Sequence, residues 1–210
     1  MCDRIMKEVE NYVTQLFKES SNKFLVFHVF AHTQCVVNRA IEISGNYNLS
    51  ERQWAVIRAA AWFHDTGYLF GGFYDHEKRS AEIMRDFMTK LSDDSGFISE
   101  IEHCILATKW LTHPQNLLEQ IICDADTYHF GTELFFITNN LFMEEVKLNS
   151  VSFDLELFDQ QTLNMLESHQ YYTTYCKELL TKGKETNIQK LNLSFGQKLF
   201  DCENTTLTLL

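Results

Sequence analysis

A chain of 210 residues suits one domain, or one domain with a short tail, and at that length about 70% of the unfolded surface can be buried without staples. The net charge of −11 excludes the cationic surplus that holds a nucleic-acid polymer, so no such partner is expected. Six cysteines without a C-x-x-C pair, a mixed-charge start at Met1-Cys2-Asp3-Arg4 and no apolar run near the length of a membrane span argue against a disulfide framework, a secretory signal and a spanning helix.

The expected setting is therefore cytoplasmic, away from membranes, with the thiols free and mostly buried. Along the chain, Ile5, Val9, Tyr12, Val13 and Leu16 form a helical stripe that predicts a first helix. A second is expected over 24–44, stopped at Gly45-Asn46, which puts His28 and His32 on one face. Ser50 and Gln53 make a capping box ahead of a third helix carrying Trp54, Ile57 and Ala61, and Thr66-Gly67 interrupts it. A fourth begins near Asp75, with Ile83, Phe87 and Leu91 on one face. Further helices are expected over 97–110, 115–129, 132–147 and 154–182, with a short one near 186–192. Weak period-two alternation near 192–200 and in Thr205–Leu210 leaves strand candidates there. The expected fold is all-α, a single compact helical bundle over 1–191 with a C-terminal tail over 192–210.

The chemistry is signalled by where His and Asp fall. His64-Asp65 follows Ala59-Ala60-Ala61-Trp62-Phe63, an odd place for a solvated charged pair. Asp124-Ala125-Asp126 follows Leu117, Leu118, Ile121 and Ile122 in the same manner. A single His on an apolar helix face is more often a hydrogen-bonded core residue than a ligand, and one Asp can be a cap. The set is different: His32, then His64-Asp65, then an Asp, on three helices with apolar flanks, can share one cation near a buried spot. His103, His113 and His129 read as structural or surface residues.

That ordered set resembles the H…HD…D pattern of the HD superfamily of metal-dependent phosphohydrolases. Phe27-His28, Trp62 through Tyr68, His76-Glu77 with Ser80-Ala81, Ala107-Thr108 and Cys123 through Asp126 resemble a small bacterial stand-alone HD subgroup. So do His169-Gln170-Tyr171-Tyr172-Thr173, Lys184 and Asn187, and the likeness spans about residues 24–191. Residues two apart on a helix point about 200° apart, so one of Asp124 and Asp126 faces the ion. The superfamily's A-D-x-L motif aligns Asp126, although Tyr128 stands where the motif has Leu.

The resemblance implies metal ligation by His32, His64, Asp65 and Asp126, with Asp65 orienting or deprotonating the attacking water and His64 as its catalytic neighbour. One divalent ion is expected: Mn²⁺, Fe²⁺, Co²⁺, Ni²⁺, Zn²⁺ or Mg²⁺. Such an ion lowers the pKa of bound water from about 15.7 toward 7 and polarises a phosphoryl oxygen. The implied activity is phosphomonoester or phosphodiester hydrolysis of a small phosphorylated substrate, with a nucleotide as the leading class. His28, His76, Glu77, Arg79 and Lys109 are candidates for substrate contact, against core, capping or solvated-charge roles. Two other readings stay open: a non-catalytic metal or nucleotide sensor, and a di-iron oxygenase of the same fold, with His76 as one extra ligand.

Overall fold

Helix α3 (Glu51–Phe63) organises the molecule because eight of its thirteen residues are buried, leaving it no polar stripe over its second half. Its Ala59-Ala60-Ala61 stretch carries small side chains, so neighbours approach closely from several sides. The computed structural model describes the backbone of residues 2–207 and the side chains of residues 3–193. Around α3 pack α1 (Cys2–Glu19), α2 (Phe30–Ser44), α5 (Ser95–Ala107) and α6 (Leu117–Asp126), with α4 (His76–Met88) against α5. The chain continues through α7 (Phe135–Asn149), α8 (Leu155–Ser168) and α9 (Thr174–Leu207). Short 3-10 turns occupy Thr66–Phe70 and Tyr128–Gly131, and no strand occurs among the described residues. The all-α expectation holds. Among the described residues no helix is long and apolar enough to cross a membrane.

The Ser50–Gln53 capping box forms with both bonds in place. Met6, Val9 and Val13 bury one face of α1, and Tyr12 stacks on Phe87 of α4 at 4.0 Å. Cys104, Cys123 and Cys176 are buried free thiols, whereas Cys35 is exposed. The side chains of Cys2 and Cys202 lie outside the described residues. A smaller apolar cluster of Phe130, Phe135, Leu163, Leu166 and Leu191 joins α7, α8 and α9 beside the main core.

Three expectations about helix limits are corrected. The second helix begins at Phe30 and not near 24, so His28 precedes it. The helix expected over 154–182 is two, broken at 169–173, where the buried Asp124 carboxylate accepts the backbone N–H groups of Tyr172 and Thr173, each at 2.8 Å. The strand candidate at 192–200 is part of α9, which also absorbs the short helix near 186–192. A strand needs a partner, and this helical bundle presents no sheet edge among the described residues. Of the second strand candidate, residues 208–210 lie outside the described residues.

Helix α9 is held against the turn at Tyr128–Gly131 by an unusually close backbone approach. A Cβ placed on Gly183 would lie 2.0 Å from the carbonyl oxygen of Gly131. Asn187 ties the same region by donating to the carbonyls of Phe130 and Thr132, both at 2.9 Å. The turn that follows Asp126 is thereby fixed from the far end of the chain.

Candidate metal centre

Because α3 is buried along its second half, its C-terminal end delivers His64 and Asp65 into the interior, where they are 0% and 4% exposed. His64 Nδ1 donates to the carbonyl of Ala61 at 2.8 Å, which fixes the ring and leaves Nε2 as the free nitrogen. His32, in the first turn of α2, brings its Nε2 to 3.3 Å from both Asp65 Oδ2 and Asp126 Oδ1. His64 Nε2 lies 3.0 Å from Asp65 Oδ2 and 3.6 Å from Asp126 Oδ1. All four donor atoms fall within 4.8 Å of one another.

The donor set fits a divalent ion. His32 Nε2, His64 Nε2 and Asp65 Oδ2 are buried polar atoms with no hydrogen-bond partner, an arrangement that costs free energy unless a cation satisfies them. Bonds of about 2.1 Å place neighbouring ligand atoms about 3.0–3.4 Å apart, close to the spacings found. Burial alone would depress the His32 pKa, but the Asp126 and Asp65 carboxylates outweigh it and raise it to about 9. Burial would likewise raise the Asp126 and Asp65 carboxyls, and the two imidazoles instead hold both below the usual carboxylate range. The site thus prefers two anionic oxygens with positive charge between them.

Asp124 does different work, although it is two residues from Asp126. It is fully buried, and besides the N–H groups of Tyr172 and Thr173 it accepts the Thr173 hydroxyl at 2.5 Å. Replacing Asp124 with Ala should leave metal content near wild type but cost about 3 kcal/mol, since three donors lose their partner. Asp126→Ala should do the reverse, keeping stability in the metal-free protein and losing the ion. Elemental analysis paired with urea denaturation separates the two. Metal loss in Asp124→Ala with metal retained in Asp126→Ala would show that the ligand has been taken from the wrong carboxylate.

The other expected residues divide. His28 does not sit on α2; its segment is held open by Glu145 of α7, whose carboxylate accepts the N–H groups of Val26, Phe27 and His28 at 2.8–3.0 Å. The other Glu145 oxygen contacts His28 Nδ1, and the His28 ring stacks on Tyr68 at 3.8 Å. His76 opens α4 with Nδ1 on the Phe73 carbonyl and Nε2 3.7 Å from Asp65 Oδ1. Glu77 Oε1 is 3.4 Å from the same nitrogen. The close approach that brings α4 here requires Gly67, where a Cβ would lie 2.1 Å from the His76 carbonyl oxygen.

The Arg79 guanidinium donates to the carbonyls of Gly67, Tyr74 and Gly72 and braces the loop ahead of α4. Lys109 is exposed, with Nζ 3.4 Å from Asp75 Oδ1 at the outer edge of the site.

A cavity of about 200 Å³ opens beside the four ligands, lined by His28, Asp65, His76, Glu77 and Asp126 on one side and by Phe130, Phe135 and Phe142 on the other. Asp126 is the most exposed of the four, its side chain 26% accessible, and it lines this cavity as well as two others. Two residues of the site are not legible as functional in the sequence. Glu145 is fully buried yet reads there as half of an ordinary Glu144-Glu145 surface pair. His129 lines the cavity, its pKa pushed down to about 4 by burial and by His32, so its ring is neutral.

Residues 29–131 match the family model described as HD domain, a span that contains all four residues of the candidate metal cluster. Comparison with curated proteins and with solved structures gives no significant match.

Proposed function

From the premise that this chain belongs, through residues 29–131, to the HD superfamily, we propose that it is a metal-dependent phosphohydrolase acting on a nucleotide or another small phosphate ester. The observation that carries this is the buried convergence of His32, His64, Asp65 and Asp126, with Asp65 and Asp126 lining a cavity. A divalent ion held by these four residues would acidify a water and polarise a phosphoryl oxygen there.

The remaining work belongs to side chains. Asp65 uses Oδ2 in the cluster and keeps Oδ1 toward the cavity, where it takes the proton of the attacking water. The water oxygen bonds to phosphorus as the ester P–O bond breaks. The departing alkoxide takes the proton that Asp65 has accepted from the water, while His28, its Nδ1–H donating to Glu145, offers Nε2 as an acceptor for the substrate. His76, its ring fixed by Nδ1–H donating to the Phe73 carbonyl, presents Nε2 as an acceptor beside Asp65 and Glu77. Arg79 takes no part, and Lys109 meets the substrate only at the rim.

One second reading has an observation behind it. His76 Nε2, Asp65 Oδ1 and Glu77 Oε1 converge beside the first cluster and would suit a second cation, which a di-iron oxygenase requires. The test is the purified protein, loaded in turn with Mn²⁺, Fe²⁺, Co²⁺, Ni²⁺, Zn²⁺ and Mg²⁺, against nucleotides, cyclic nucleotides and phosphosugars. Hydrolysis of at least one ester with about one metal per chain is expected. Two irons per chain with oxygen consumption and no hydrolysis would overturn the reading in favour of the oxygenase.

A further inference from the structure

The cavity beside the four clustered residues has a charge pattern that the mechanism above does not use. The acidic side chains lining it are Asp65, Glu77 and Asp126, and among the described residues no Lys or Arg lines it. Cations placed elsewhere on this side of the fold have other partners. Arg79 braces the loop ahead of α4, Arg39 pairs with Glu42 and lies over the Tyr128 ring, and Lys109 stands beside Asp75.

Three carboxylates against one divalent ion leave the cavity formally one charge negative. An aromatic wall screens charge far less than water does. One phosphoryl group is matched by the ion itself. A second phosphate, or any other anionic group on the substrate, would meet carboxylates without a cation to offset them.

The opposite wall is apolar and mostly aromatic, built from Phe27, Phe130, Phe135, Phe142 and Met165. Its polar members Thr138 and Asn139 are uncharged. Phe142 is seated among Phe27, Phe158 and Phe73, with ring centroids 5.8, 6.0 and 6.1 Å away, so the wall is already packed. An apolar cavity of about 150 Å³ holds one benzene. At about 200 Å³ this one has room for a single ring, and the faces and edges of phenylalanines favour a flat one.

We propose that the site selects esters that carry one phosphoryl group on a small, uncharged, ring-sized apolar alcohol, and discriminates against polyphosphates. The inference narrows the phosphohydrolase reading and rests on it for the phosphoryl end, but the ring and charge preferences are measured by binding, without turnover. The probes are phosphonates, which have no ester bond to break, titrated calorimetrically into the metal-loaded full chain. Benzylphosphonate should bind at least about tenfold more tightly than methylphosphonate, which has the same charge and no ring. 4-Carboxybenzylphosphonate should bind at least about fivefold more weakly than its neutral isostere, 4-carbamoylbenzylphosphonate.

Two substitutions assign these preferences to the cavity. Phe142→Ala should cut the benzyl-to-methyl ratio about fivefold or more. Thr138 bonds through its hydroxyl only to the Leu134 and Phe135 carbonyls of its own helix, so Thr138→Lys adds a cation without breaking a tertiary bond. It should reverse the order of the carboxy and carbamoyl probes. Thermal melts check that both variants fold.

Equal binding of benzylphosphonate and methylphosphonate, or of the carboxy and carbamoyl probes, would overturn the inference even in a protein that hydrolyses phosphate esters. Preferences that survive both substitutions would overturn it as well. Ring and charge preferences that respond as expected, in a protein that hydrolyses no ester, would keep the selectivity of the cavity and overturn the hydrolase reading.

Discussion

Asp65→Asn should abolish turnover, by about a thousandfold or more, in a protein that remains folded. The substitution is nearly isosteric, so the packing around a side chain that is 4% exposed is retained. What changes is charge and basicity. An amide is a weak ligand where Oδ2 faces His32 and His64, and it offers no base where Oδ1 faces the cavity. The formal charge of the loaded site rises by one, so an anionic ester should bind at least as tightly even as turnover fails. His64→Ala should be still more severe for metal content, because it removes a fully buried donor whose ring Ala61 holds in place. The measurement is turnover of whichever ester the panel identifies, with circular dichroism as the folding control. A folded Asp65→Asn protein that turns over at a near wild-type rate would falsify the proposed role of this carboxylate.

Gly183→Ala should produce a large loss of stability for the addition of a single methyl group. The new carbon would sit 2.0 Å from the Gly131 carbonyl oxygen and 2.9 Å from its carbon, both backbone atoms of a tight turn. No side-chain rotation relieves that overlap, so α9 must move away from the turn. Overpacking of this kind costs about 3 kcal/mol. For a chain of this size that lowers Tm by roughly 6–12 °C. Gly72→Ala is the matching control, since nothing lies within 4 Å of its added carbon, and it should melt close to wild type. A Gly183→Ala protein as stable as that control would mean that α9 does not press on the turn after Asp126.

The helical periodicity makes α1, α3 and α4 legible because each has local causes: a stripe, a capping box, an interrupting Gly67. The buried cluster of His32, His64, Asp65 and Asp126 is legible for a similar reason, since charged residues directly after apolar stretches have few solvated explanations. The errors share a different cause. The end of α8, the start of α9 and the late start of α2 are set by carboxylates from elsewhere, Asp124 reaching 48 residues and Glu145 reaching 117. Backbone N–H groups bonded to a distant side chain leave no local trace, so 154–182 reads as one helix and 24–29 as helical. The three carbonyl partners of Arg79 are not legible either, because they are fixed only once the loop is folded.

The cap that Glu145 places on Val26, Phe27 and His28 has a kinetic consequence. These three amides hydrogen-bond to a carboxylate on α7, not to their own helix, so they can exchange with solvent deuterium only when α7 lifts from the segment ahead of His32. Asn149, one turn further along α7, fastens the same segment through the Phe24 carbonyl at 3.1 Å. The exchange rate of three backbone protons therefore times the opening of the cavity's far wall, in a protein that needs no substrate, label or metal to be watched.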